Sequence, residues 1–340
     1  MASAAETQAS TVSTEAPVVI GTPSLDVVRA VVGGVFCLAF AVLKQPHPLQ
    51  SAWGEAILLL CPLCLIPLTL VVMRKSAPDA AISTWKLIEQ YELSAATVLI
   101  GAYIMPPAPQ TAVLTLPWLA LTLVIGWAGV IGLTRRHHRD MATFTIDVGC
   151  LFLTVGGVWT LIDRSGIRLW GFDEVIALLT AVHFHYAGFL LLIVTGWAAR
   201  ELGTSKTATV TCAAVMIGVP LTALGILAAH FKWDARWEAF AATFMALSGW
   251  LVAWLHLRLA TGRTDAAKPV RVLWTVCSAA LFFSMALAVL YALRSFVQVS
   301  RLDIPHMRAI HGSLNAVGFG LCGVIAWRWH RTGLVRGAGE

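Results

Sequence analysis

The chain is dominated by apolar runs of about twenty residues, each long enough to cross roughly 30 Å of hydrocarbon as a helix. Such runs fall near residues 25–43, 54–73, 87–105, 112–133, 142–162, 174–197, 208–229, 237–259, 271–293 and 306–327. Lipid offers no hydrogen-bonding partner, so a spanning segment must satisfy its own backbone. Long runs without apolar/polar alternation do this as helices rather than barrel strands. The expected fold is all-α: a polytopic transmembrane helix bundle of about ten spans. The third run is the weakest, because Glu89 and Glu92 interrupt its first half. Composition points the same way. Of 340 residues, 58% are hydrophobic and 12% charged, about half the charged share of a soluble domain. Soluble, disordered and fibrous classes are excluded.

Residues 1–24 are rich in Ser, Thr, Ala and Pro and hold no Lys or Arg, which reads as a disordered N-terminal tail rather than a secretory signal. Residues 25–329 form the transmembrane domain and residues 330–340 a cytoplasmic tail. Of the 24 Lys and Arg, fifteen follow even-numbered spans and eight follow odd-numbered ones, with Arg29 at the start of the first. The positive-inside rule then places both termini in the cytoplasm and the chain, multi-pass, in the cell inner membrane. The net charge of +6 is topology, so no nucleic-acid partner is expected. The run Arg135, Arg136, His137, His138, Arg139 belongs to the same signal. Trp53, Trp118, Trp170, Trp233, Trp237, Trp327 and Trp329 lie near span ends and read as interfacial anchors. The seven cysteines fall in or beside apolar runs. They imply no disulfide framework, and Cys61-Pro62-Leu63-Cys64 lacks the context of a redox centre.

Ionisable groups inside a bilayer are costly, so each is a functional candidate. The sixth run carries His183-Phe184-His185-Tyr186-Ala187-Gly188-Phe189 and the tenth His311-Gly312-Ser313-Leu314-Asn315. Both runs enter from the same side, and a rise of 1.5 Å per residue sets the first pair about 14–17 Å deep and the second group about 7–14 Å deep. Residues i and i+2 are about 200° apart on a helix, so His183 and His185 point to different neighbours and cannot share a metal without unwinding. His311 and Asn315 are about 40° apart and share a face. Glu55 enters from the same side as the histidines and is the best placed acid for a proton relay. Asp147 and Glu92 lie in the opposite half, where pairing with a basic residue is their ordinary role. Arg294, Arg301, Arg308 and His306 gather at the histidine side of spans 9 and 10, suited either to an anionic headgroup or to snorkelling.

Two packing patterns accompany these groups. Gly312, Ala316, Gly320 and Gly323 form a small-residue stripe that lets another backbone approach. His185–Phe189 and Asn315–Phe319 are alike at an offset of 130 residues, so spans 3–6 and 7–10 could form two parallel four-helix repeats.

The two histidine segments, together with the Leu-rich, Pro-containing stretch Trp53 to Leu70, resemble the YndJ-like family of bacterial membrane proteins, and the likeness covers most of the chain after residue 50. The family carries no established activity. The resemblance implies the same architecture and the same histidines, and transfers no role to any residue.

Two functions fit. One is an integral membrane enzyme using intramembrane histidines for acid/base isomerisation, hydration or cyclisation of a lipophilic small molecule within the lipid bilayer. His185 and His311 would be acid and base, Asn315 and Tyr186 would position a substrate oxygen, and His183 and Glu55 would complete the candidates. No cofactor is needed, with haem or a divalent metal held by histidine as the alternatives. The other is a secondary transporter or proton-coupled carrier, against which stands the shortage of midplane carboxylates. Oligomeric state is not legible.

Overall fold

The computed structural model describes residues 24–75, 77, 79–135, 140–203, 205–298 and 302–333. The N-terminal tail, the run Arg136, His137, His138, Arg139, Arg301 and the tail beyond Gly333 lie outside the described residues. Ten long helices follow one another: α1 (Leu25–Lys44), α2 (Ser51–Lys75), α3 (Ile82–Ile104), α4 (Leu116–Arg135), α5 (Met141–Ser165), α6 (Glu174–Glu201), α7 (Lys206–His230), α8 (Ala235–Gly262), α9 (Lys268–Ala292) and α10 (Ile304–Thr332). No strand occurs among the described residues. Nine of the ten are long and apolar enough to cross a membrane. The tenth, α3, is the run that Glu89 and Glu92 dilute. The last helix passes the expected boundary at 329 and ends at Thr332. The protein is a multi-pass membrane protein.

Helix starts are set locally. The side chains of Asp140, Ser205, Asp234 and Asp303 accept from the backbone N–H groups of Ala142, Ala208, Arg236 and His306. They occupy donors that the first turns of α5, α7, α8 and α10 would leave unpaired. Packing then follows chain order within two quartets: α3 to α4 to α5 to α6, and α7 to α8 to α9 to α10. The apolar windows of α2 and α6 are 78% and 67% buried, against 22% for α1, so α2 and α6 are central and α1 peripheral.

Three of the helices are not regular. Each widens into π-helical turns, at Cys61–Leu65 in α2, Phe184–Leu190 in α6, and Arg308–Gly312 and Leu314–Leu321 in α10. The α6 segment and the longer α10 segment are the two stretches alike at an offset of 130 residues. In α2 the Ile66 N–H reaches back five residues to the Cys61 carbonyl. Pro67 has no N–H with which to restore the four-residue ladder. The widened turns pack on one another, and the helices that carry them are cross-linked: Tyr186 Oη–H donates to Ile57 O at 2.8 Å, and Trp53 Nε1–H to Ser313 Oγ at 3.0 Å. The small-residue stripe faces this junction. A Cβ at Gly312 would lie 3.1 Å from Ile57 Cδ1, and one at Gly320 3.2 Å from Tyr186 Cε1.

The approach of α1 to α2 depends on one glycine. A Cβ at Gly33 would come within 1.7 Å of the Leu63 carbonyl oxygen in the α2 π turn. At Gly34 the nearest atom would be Cys64 Sγ at 3.9 Å. At the other end of the bundle Arg328 of α10 pairs with Asp26 of α1 at 2.6 Å, both buried.

Gly33→Ala is expected to lose at least about 1–3 kcal/mol by overpacking, visible as a lowered thermal midpoint in detergent. Gly34→Ala should unfold with the wild type, and equal loss in both variants would refute the Gly33–Leu63 crossing.

Candidate functional site

Four histidines lie inside the bundle, and their hydrogen bonds sort them. A carbonyl oxygen only accepts, so a ring nitrogen bonded to one must carry the proton. His183 Nδ1–H donates to Leu179 O at 2.8 Å, His185 Nδ1–H to Ala181 O at 2.8 Å, and His256 Nδ1–H to Val252 O at 2.9 Å. In each case the acceptor is the carbonyl four residues back on the same helix. All three rings are thereby held as the tautomer whose Nε2 carries a lone pair. Two of those lone pairs are filled. Trp118 Nε1–H of α4 donates to His185 Nε2 at 3.0 Å, and Trp327 Nε1–H of α10 donates to His256 Nε2 at 3.1 Å. Both histidines and both tryptophans are fully buried. Among the described residues His183 Nε2 has no such donor.

His183 is half-buried and faces a cavity of about 840 Å³ lined by α2 and α5 to α10, within the usual ~300–1,000 Å³ range of ligand pockets. The lining comes from the half of the bundle at which the even-numbered helices begin, and that end is here called the mouth. Its walls are apolar, with Phe152, Phe184, Met245, Met285 and Phe319 prominent. His311 and Asn315 line the same space. His311 Nδ1–H donates to Ser284 O of α9 at 2.9 Å, with Ser284 Oγ at 3.0 Å. Its Nε2 lone pair then accepts from Asn315 Nδ2–H at 3.0 Å, the shared face expected from a four-residue spacing. One amide hydrogen and the carbonyl oxygen of Asn315 stay available.

At the mouth, Glu238 of α8 and Arg294 pair at 2.7 and 3.2 Å, and the guanidinium lies 3.9 Å from the Tyr291 ring centroid. Asp303 accepts from the His306 ring at 2.7 Å and caps α10. The backbone N–H and ring of His306 hold this carboxyl below its ordinary range. Arg308 also lines the cavity.

The site candidates therefore divide. His183, His311, Asn315 and Tyr186 line one cavity, with the Tyr186 hydroxyl committed to the Ile57 carbonyl. His185 is on the far face of α6, held between Trp118 and its own helix. Gly156 of α5 leaves the room for it, since a Cβ there would lie 2.8 Å from His185 Nδ1. Glu55 turns away from the cavity towards Lys44 at 3.9 Å and Arg164 at 3.7 Å. Arg164 also lies 3.8 Å from Asp163, whose carboxylate accepts from Tyr103 Oη–H at 3.0 Å. Two of the supposed interfacial tryptophans, Trp118 and Trp327, are instead buried donors to histidine. Trp170, Trp233 and Trp237 are more than half exposed, as anchors should be. Sequence reasoning missed His256 and Ser284. A polar residue every few turns facing a distant helix leaves no local signature. Among the described residues no three His, Cys, Asp or Glu converge as a metal set.

A family model described as YndJ-like protein matches residues 56–319. The protein described as "Uncharacterized membrane protein YndJ" of Bacillus subtilis (strain 168) is 26% identical over 303 residues, covering 88% of this chain and 52% of that protein. The chain thus spans about half the length of this relative. No solved structure matches it.

His185→Ala and Trp118→Phe should each lower the stability of the folded protein, by about 1–3 kcal/mol where a buried polar partner is left unpaired. The double variant should cost less than the sum of the two. Full additivity in thermal unfolding would mean that the pair does not interact.

Proposed function

Since the chain belongs to the YndJ-like family, whose name carries no activity, we propose its function from the site alone: an integral membrane enzyme that performs acid/base isomerisation of a lipophilic substrate. The observation that carries this reading is the bare Nε2 lone pair of His183 in an apolar cavity, where the two other histidines of the same tautomer are capped by tryptophan.

His183 is the base. Its Nδ1–H is fixed on Leu179 O, so the ring can accept a proton only at Nε2 and must give it back from there. A proton leaves one substrate carbon, resides on Nε2, and returns to another carbon of the same molecule. No oxidant, reductant or water is consumed. His311 is a positioning residue: through Nε2 it orients Asn315, whose second amide hydrogen can donate to a substrate oxygen as charge develops there. The apolar walls offer few competing hydrogen bonds to either interaction. His185, a candidate from the sequence, has no part in this step because both its nitrogens are occupied. The most economical placement is the cytoplasmic membrane with both termini inside, which puts the cavity mouth in the outer half.

A second reading, a proton-coupled carrier, is favoured by one observation: α2, α6 and α10 are π-helical where they meet, and such turns recur at functional sites. Hydration and cyclisation remain variants of the same acid/base site.

The test is incubation of purified protein with a total lipophilic membrane extract, followed by chromatography and mass spectrometry. The expected result is one component converted to a product of equal mass. His183→Ala should lower this at least ~100-fold, with the detergent melting curve unchanged. If no component is converted while proteoliposomes move one across the bilayer, the carrier reading replaces this one.

A further inference from the structure

Three arginines are buried in the described bundle: Arg164, Arg308 and Arg328. Arg328 has Asp26, and Arg164 has Glu55 and Asp163. Arg308 has no carboxylate within 4.0 Å among the described residues. It is 6% exposed, one terminal nitrogen donates to the Leu49 carbonyl, and its buried Nε has no partner. The nearby acid, Asp303, is engaged with His306, and Arg294 beside it is already matched by Glu238. A guanidinium cannot shed its proton, and burying it unpaired is unfavourable.

The placement of Arg308 is built in. Its stem crosses α2 at Gly54, where a Cβ would lie 3.1 Å from Arg308 Cδ. It lines the mouth of the cavity that holds His183 and His311. On α10 the lining residues Arg308, His311, Asn315 and Phe319 recur at steps of three or four, so they form one stripe from cation to apolar wall. His311 and Asn315 follow Arg308 by three and seven residues, so both lie deeper along α10 than Arg308.

We infer that the cavity binds a single-chain anionic amphiphile, its carboxylate or phosphate headgroup on Arg308 and its hydrocarbon chain along the apolar walls past His183 and the His311–Asn315 pair. A planar guanidinium suits either oxyanion as a two-point contact. The inference rests on the proposed lipophilic-substrate site and names the class of molecule that the site takes. It also places the chemistry near the headgroup end of the chain.

The test uses the full chain in neutral detergent and three probes of equal chain length: palmitate, palmitoyl lysophosphatidate and hexadecanol. Binding is titrated by native mass spectrometry. At least one of the two anions should bind 10-fold or more tighter than hexadecanol, and the tighter one identifies carboxylate or phosphate as the headgroup. Arg308→Gln should reduce that preference to 3-fold or less without changing hexadecanol affinity. Ala288→Trp, which intrudes on the cavity wall, should weaken all three. Equal binding of the three probes by the wild-type protein overturns the anionic inference and leaves the lipophilic site standing; this comparison needs no variant to fold. Binding of no probe, or binding indifferent to Ala288→Trp, removes both.

Discussion

Inside a bilayer a polar side chain has only the protein to bond with, and the interior of this bundle is organised around that shortage. The imidazoles show how it is met. A histidine on a helix can return Nδ1–H to the carbonyl four residues earlier, which costs no partner on another helix and fixes the tautomer. The exposed lone pair at Nε2 then needs a donor. Tryptophan supplies one without bringing a second unsatisfied atom, since its indole has a donor and no acceptor. The pairs Trp118–His185 and Trp327–His256 are therefore closed units that tie α4 to α6 and α8 to α10. In each unit both ring nitrogens of the histidine are hydrogen-bonded within the protein. His183 shares the first half of the arrangement and lacks the second.

Close approach of backbones follows from the same constraint. A π turn widens the helix and rearranges part of its ladder. Here those of α2 and α6 are buried, and the longer one of α10 packs on them with Ala316, Phe319 and Gly320 buried. Gly33, Gly312 and Gly320 let neighbouring side chains and carbonyls approach. The junction both holds the bundle together and carries His183, His311 and Asn315 on its cavity side. The irregular backbone and the polar groups thus occupy one region.

Much of this was legible in the sequence. Length and composition of the runs specified the spans, including the weakness of α3, because hydrocarbon thickness is a one-dimensional constraint that a linear sequence can meet visibly. The 200° separation of His183 and His185 was equally readable, as was the shared face of His311 and Asn315. Which of the two α6 histidines faces the cavity was not readable. It depends on Trp118 arriving from α4, a choice of partner across 67 positions that leaves no periodicity. Trp118 and Trp327 near span ends looked like interfacial anchors for the same reason: position along a helix was visible and azimuth relative to distant helices was not. Glu55 looked like a relay acid on depth alone, while its partner Arg164 lies on α5.

The charges complete the argument. Burial of an arginine in this protein is accompanied by a carboxylate at Arg164 and at Arg328, which join α5 to α2 and α10 to α1. A charge matched internally has no further claim on a ligand, and the same holds for Arg294 against Glu238. Among the described residues around the cavity, Arg308 lacks an anion and the Nε2 of His183 lacks a proton donor. When His183 takes a proton from a bound molecule, the negative charge left on that molecule balances the imidazolium within the same cavity. The headgroup's own charge is matched by Arg308. The two unmet requirements are therefore complementary, and a single bound amphiphile would satisfy both.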